Sequence, residues 1–164
     1  MPGITENKGF ELEIPGKGNF VIKYLLLDVN GTIAFDGLPM EGVLDRVEQL
    51  SHLLEIYVIT ADTFGTVNQW RGNWNLILLK PGRGPEDAQK ERAILGLGAN
   101  RSIAIGNGTN DALMLRHAAI GICIMGREGA SQQAMEAADL VIHDIRDALD
   151  LLRNPKRLIA TLRR

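Results

Sequence analysis

Residues 20–33 read Phe-Val-Ile-Lys-Tyr-Leu-Leu-Leu-Asp-Val-Asn-Gly-Thr-Ile. A run this rich in Val, Ile and Leu, with little alternation, predicts a strand buried on both faces of a parallel sheet. The run breaks at Asp28, and Asn30-Gly31 favour a sharp turn. Open α/β sheets place their ligands at the carboxyl ends of central strands. Asp28 is therefore the first candidate for chemistry, against the plainer reading of a solvated strand end.

Working outward, Phe10–Ile14 alternates as a half-buried strand, and Pro15-Gly-Lys-Gly18 is turn chemistry, predicting an N-terminal β-hairpin with 10–14 at or near a sheet edge. Asp36-Gly-Leu-Pro39 reads as a short loop before a helix from about Glu41 to Leu54. Strands are expected at 55–59, 76–79, 102–105, 120–125 and 140–142. Helices are expected at 63–70, 85–97, 112–119 and 130–137, and in two pieces divided near Asn154-Pro155. Alternating strands and helices predict a three-layer α/β/α, Rossmann-like fold with a mainly parallel sheet, in one domain over 1–164.

The chain has 164 residues, enough for one core that buries about 70% of the unfolded surface. Its 45% hydrophobic and 23% charged content is that of a globular protein, not a disordered one. A net charge of −2 gives no general attraction to nucleic acid or anionic lipid. No apolar run approaches the ~20 residues of a membrane span, and no signal-peptide core is apparent. With one cysteine, Cys123, in an apolar strand, no internal disulfide forms, and a reducing cytoplasm is expected.

Three strand ends carry polar clusters: Asp28-Val-Asn-Gly-Thr32, Thr60-Ala-Asp62 and Gly106-Asn-Gly-Thr-Asn-Asp111. In a parallel sheet these ends share one rim, and Lys90 lies early enough in its helix to reach it. Asp28 and Asp111 offer hard oxygens to Mg²⁺, which takes few protein ligands. Thr60, Lys90 and the amides of residues 30–32 suit phosphoryl oxygens. Such positioning and charge stabilisation is most of what phosphoryl transfer requires.

In order and spacing, Asp28-x-Asn-Gly-Thr32, Thr60, Lys90 and Gly106–Asp111 resemble the four motifs of the haloacid dehalogenase-like (HAD) superfamily. Ile59–Asp62 and residues 106–111 are most similar to the phosphorylation domain of P-type ATPases. The resemblance implies that Asp28 is a phosphate-accepting nucleophile and that the Asn30 carbonyl ligates Mg²⁺. It implies phosphoryl binding by Gly31, Thr32, Thr60, Ala61 and Lys90, and metal binding by Asp28, Asn107 and Asp111. Lys80 competes for the lysine role, but Lys90, followed by Ala93-Ile94, fits the family's helix better.

Two positions depart from the family. Asn30 stands where many HAD phosphatases carry an acid/base Asp, a role that an amide cannot fill. Unreplaced, that loss costs about 10²–10⁴-fold and favours good leaving groups such as acyl or aryl phosphates. Asn107 replaces a metal-binding Asp and removes one negative charge. Residues 33–59 leave no room for an inserted cap, which argues against a dehalogenase. An open site suits a phosphorylated small molecule or a phosphoprotein, with homo-oligomerisation, through Trp70 and Trp74 for example, as one way to close it. The alternative is a non-catalytic module that binds phosphate or a partner. His52, His117 and His143 share no motif spacing, Asp62 reads as a helix N-cap, and Arg127-Glu128-Gly129 reads as a plain loop on the active rim.

Overall fold

The structure, a computed structural model, describes residues 8–60, 67, 75–79 and 82–164. Strands β1 (Phe10–Ile14) and β2 (Gly18–Ile22) precede β3 (Tyr24–Asp28), a short pair β4 (Ala34–Phe35) and β5 (Leu38–Pro39), α1 (Val43–Ser51) and β6 (Glu55–Ile59). Then come β7 (Leu76–Leu79), α2 (Glu86–Leu97), β8 (Ser102–Gly106), α3 (Ala112–His117), β9 (Ile120–Ile124), α4 (Gln132–Ala137), β10 (Leu140–Ile142), α5 (Ile145–Arg153) and α6 (Pro155–Leu162).

Six strands form one sheet in the order β10-β9-β8-β3-β6-β7, and every neighbouring pair is parallel. The order reverses between β3 and β8, which opens a crevice at their carboxyl ends. Helices cover both faces, so successive residues of β3 enter different cores. Leu25 and Leu27 pack with Val47 and Leu50 of α1 and with Ile145, Leu149 and Leu152 of α5. Leu26 packs on the other face with Ile94 of α2, Met114 and Leu115 of α3, and Ala134 of α4. Cys123 is fully buried, and burial pushes its thiol up to about 11.

The N-terminal hairpin forms, but as its own two-stranded ribbon rather than at an edge of the main sheet. The apolar run from residue 20 divides at Lys23, whose N–H donates to Arg101 O and whose carbonyl accepts from Glu55 N, both at 2.9 Å. The ribbon lays Leu12, Ile14 and Ile22 on the core and leaves Glu11, Glu13 and Val21 outside. The loop expected at 36–39 is part of a tight hairpin in which β4 and β5 pair around Asp36 (φ 51°) and Gly37 (φ 77°). Asp-Gly at two consecutive positive-φ positions is the chemistry such a turn demands. Helix α1 is shorter than the expected 41–54, because Gly42 at φ 78° is left-handed and starts it at Val43.

Between Thr32 and Thr60 lie only this hairpin, α1 and β6, with no inserted cap. No helix among the described residues is long and apolar enough to cross a membrane. Of the helix expected at 63–70, only Val67 is described, helical and buried. Ala61, Asp62, Trp70, Trp74 and Lys80 lie outside the described residues.

Candidate active site

At the crevice, Asp28 ends β3 beside Ile59 of β6, and β8 delivers Gly106 and Asn107 on the other side. Lys90, on the second turn of α2, donates to both Asp28 Oδ1 at 2.8 Å and Asp111 Oδ1 at 2.6 Å. All three side chains are nearly or fully buried. Two carboxylates around one ammonium leave a buried net charge of −1. Burial, and then the Asp111 charge, push the Asp28 carboxyl up to about 7 against the pull of Lys90. For Lys90, burial works against the charge, but the two carboxylates outweigh it and raise the ammonium's pKa. A proton on Asp28 or a bound cation would each neutralise such a cluster.

The remaining groups surround Asp28 Oδ2. The buried Thr32 hydroxyl lies 3.2 Å from it and 3.3 Å from Asn107 Oδ1. Asn107 aims its oxygen inward because its Nδ2 donates to Gly129 O at 3.2 Å. Asp111 Oδ2 accepts from the N–H groups of Asn107 and Gly108, both at 2.9 Å, which closes the loop after β8. Gly106 has to be glycine here, since a Cβ would stand 2.5 Å from Asp111 Cγ.

Asn30 is exposed, and its carbonyl accepts no hydrogen bond among the described residues. Of the amides expected to meet a phosphoryl group, Gly31 N–H instead donates to Ala34 O (2.9 Å) and Thr32 N–H to Val29 O (3.1 Å). Both are engaged in closing the turn. The crevice itself, about 370 Å³, is lined by Asp28, Asn30, Thr60, Glu86, Lys90 and Asn107, among others. Asn110 hydrogen-bonds Glu86 at its rim. A more apolar cleft of about 410 Å³ lies beside the β4–β5 hairpin, and the Asp144–Arg146 ion pair on its wall is largely solvated. The buried charged groups gather at the smaller one.

Sequence reasoning placed Asp28, Thr32, Lys90, Asn107 and Asp111 at one point, and there the structure gathers them, with Asn30 and Thr60 on the crevice wall. The donors suit a hard divalent cation: a carboxylate oxygen, an inward amide oxygen, a hydroxyl and a free carbonyl. No group of three or more His, Cys, Asp or Glu that could hold an ion occurs among the described residues. Of the histidines, His117 pairs with Glu91 at 2.9 Å, and His52 ends α1. The loop expected on the active rim at 127–129 contains Glu128. The tight turn at Gly126–Gly129 carries it back over the site, and a Cβ on Gly31 (φ 78°) would collide with Glu128 Oε2 and Asn107 Nδ2. Two glycines in Gly126–Gly129 were the available signal.

No model of a known protein family matches the chain. It is 56% identical over 61 residues to the uncharacterized protein MJ0073 of Methanocaldococcus jannaschii, a match spanning 37% of this chain and 66% of that protein. It is 54% identical over 39 residues to the uncharacterized protein MJ0072 of the same organism, spanning 24% of this chain and 89% of that protein. Among solved structures it is similar to a protein assigned to HAD superfamily hydrolases, subfamily III A, from Legionella pneumophila. The TM-score is 0.65 at 20% identity, covering 86% of this chain and 87% of that one. It is also similar to 3-deoxy-D-manno-octulosonate 8-phosphate phosphatase from Moraxella catarrhalis, solved with magnesium, phosphate and sugar acid. Here the TM-score is 0.64 at 19% identity, covering 87% and 94%. The chain belongs to one family with MJ0072, and its fold is the capless form of the HAD fold.

Proposed function

We propose that this chain is a Mg²⁺-dependent phosphohydrolase that works through an aspartyl phosphate on Asp28. The observation that carries the reading is the buried Asp28–Lys90–Asp111 chain at the floor of an open polar crevice. In the first step an Asp28 carboxylate oxygen attacks phosphorus, the bond to the leaving oxygen breaks, and an acyl phosphate forms. In the second, water attacks the same phosphorus, the carboxylate departs and inorganic phosphate is released.

Lys90 fixes the orientation of Asp28 and places a permanent positive charge where phosphoryl oxygens arrive. Asp111 anchors Lys90 and closes the Asn107–Gly108 loop. Thr60, at the end of β6, offers a hydroxyl to the phosphoryl group. Asp28, the Asn30 carbonyl and Asn107 would hold the cation. Asp111, expected from the sequence as a further ligand, would contribute charge from behind, because its oxygens already serve Lys90 and the Asn107 and Gly108 amides. The cation when bound favours the ionised Asp28 carboxylate and neutralises phosphoryl charge. Because Asn30 neither gives nor takes a proton, leaving groups that depart as stable anions are preferred. Acyl and aryl phosphates are such substrates, carried by a small molecule or a protein.

Incubation with acetyl phosphate or p-nitrophenyl phosphate, with and without Mg²⁺, beside Asp28→Ala, tests this. Mg²⁺-dependent turnover that vanishes in the variant is expected. Hydrolysis equal to background in both proteins would instead point to a module that binds phosphate without turning it over.

A further inference from the structure

The mechanism leaves one carboxylate beside the site unused. Glu128 is exposed and has no hydrogen bond or ion pair among the described residues. The backbone that carries it is nevertheless held in place. The turn after β9 closes through Gly129 N–H on Gly126 O at 2.9 Å, with Gly129 left-handed at φ 73°. Asn107 binds this turn on two sides: its Nδ2 donates to Gly129 O at 3.2 Å, and its carbonyl accepts from Ser131 N at 2.9 Å. Within the turn the two charged neighbours part. The Arg127 guanidinium lies over the Phe35 ring, 5.3 Å from its centroid, whereas Glu128 Oε2 faces the Gly31 backbone next to the Asn107 amide. This carboxylate, free among the described residues, thus stands beside the Asn107 amide.

We propose that Glu128 supplies the negative charge that Asn107 lacks and thereby sets the affinity of the site for Mg²⁺. This rests on the Mg²⁺-dependent function proposed above. Glu128 does not join Asp28 and Asp111 in a cluster of acidic ligands. Its action is therefore through charge and through hydrogen bonds to the water that Mg²⁺ retains. The arrangement also accounts for Gly31: any side chain there would displace both Glu128 and Asn107.

Calorimetric titration of the full chain with Mg²⁺ alone, without substrate or phosphate, tests the inference. Four proteins are compared: wild type, Glu128→Gln, Asn107→Asp and the double variant. Glu128→Gln is expected to bind Mg²⁺ about 10–100-fold more weakly. In the double variant, the carboxylate at 107 is expected to restore at least wild-type affinity. An unchanged melting temperature in chelator confirms that the exposed substitution leaves the fold intact. Equal affinity of Glu128→Gln and wild type overturns the inference and leaves the phosphohydrolase standing, as does a double variant no tighter than Glu128→Gln. A wild type that binds no Mg²⁺ overturns both.

Discussion

The loops after β3 and after β8 each carry an asparagine where a carboxylate would be expected, yet they hold it differently. Asn107 is anchored on Gly129 and turns its oxygen toward Thr32 and Asp28. Asn30 is exposed, and none of the hydrogen bonds described for the site involves its side chain. An amide can replace a carboxylate as an oxygen donor at the loss of one charge, but it cannot replace one as a proton carrier. On the proposed function, the first loop therefore carries no proton donor at Asn30, and the second offers an oxygen donor at Asn107 with one charge fewer.

Asn30→Asp sharpens that contrast most. Hydrolysis of alkyl phosphates should rise about 10²–10⁴-fold, with Mg²⁺ affinity little changed, as read by steady-state kinetics and calorimetry. No gain in a folded variant would mean that another group already moves the proton.

Lys90→Ala attacks the scaffold that both loops share. It leaves two buried carboxylates without their ammonium, and denaturant unfolding should show a loss of about 3–5 kcal/mol. Added Mg²⁺ should recover part of it. A loss below about 1 kcal/mol would mean that the cluster is far better hydrated than its burial implies.

Asn107→Asp should act on binding alone, tightening Mg²⁺ about tenfold while the rate at saturating Mg²⁺ stays within a few-fold of wild type. The smallest effect is on pH. Since Asp28 must be ionised to bind the cation and burial holds it up to about 7, affinity should rise as pH rises. Between about pH 6 and pH 8 the gain should be about tenfold by calorimetry. A flat profile would mean that Asp28 is ionised throughout.

Much of this was legible in the chain because parallel strands buried on both faces announce themselves as unbroken apolar runs. Leu25–Leu27, Ile103–Ile105 and Ile120–Ile124 are such runs, and polar clusters at their ends locate the rim. Lys90 could be placed because a helix between two parallel strands has its start and direction fixed by the crossover. The break at Lys23 could not, because it depends on hydrogen bonds to Arg101 and Glu55, far away in sequence. The β4–β5 hairpin was readable from Asp36-Gly37 once the turn chemistry is weighted above the shortness of the strands. Glu128 was not, for a physical reason. Which way a side chain leaves a tight turn depends on what clasps the turn, and here that is Asn107, 21 residues earlier.

The central claim is that Asp28 itself takes up the phosphoryl group. Acid-quenching the protein after brief exposure to acetyl phosphate and Mg²⁺, followed by peptide mass spectrometry, reads this directly. A single added phosphoryl group on the peptide containing Asp28, absent from Asp28→Asn, is the expected result. Labelling elsewhere, or turnover that persists in Asp28→Asn, would contradict the account.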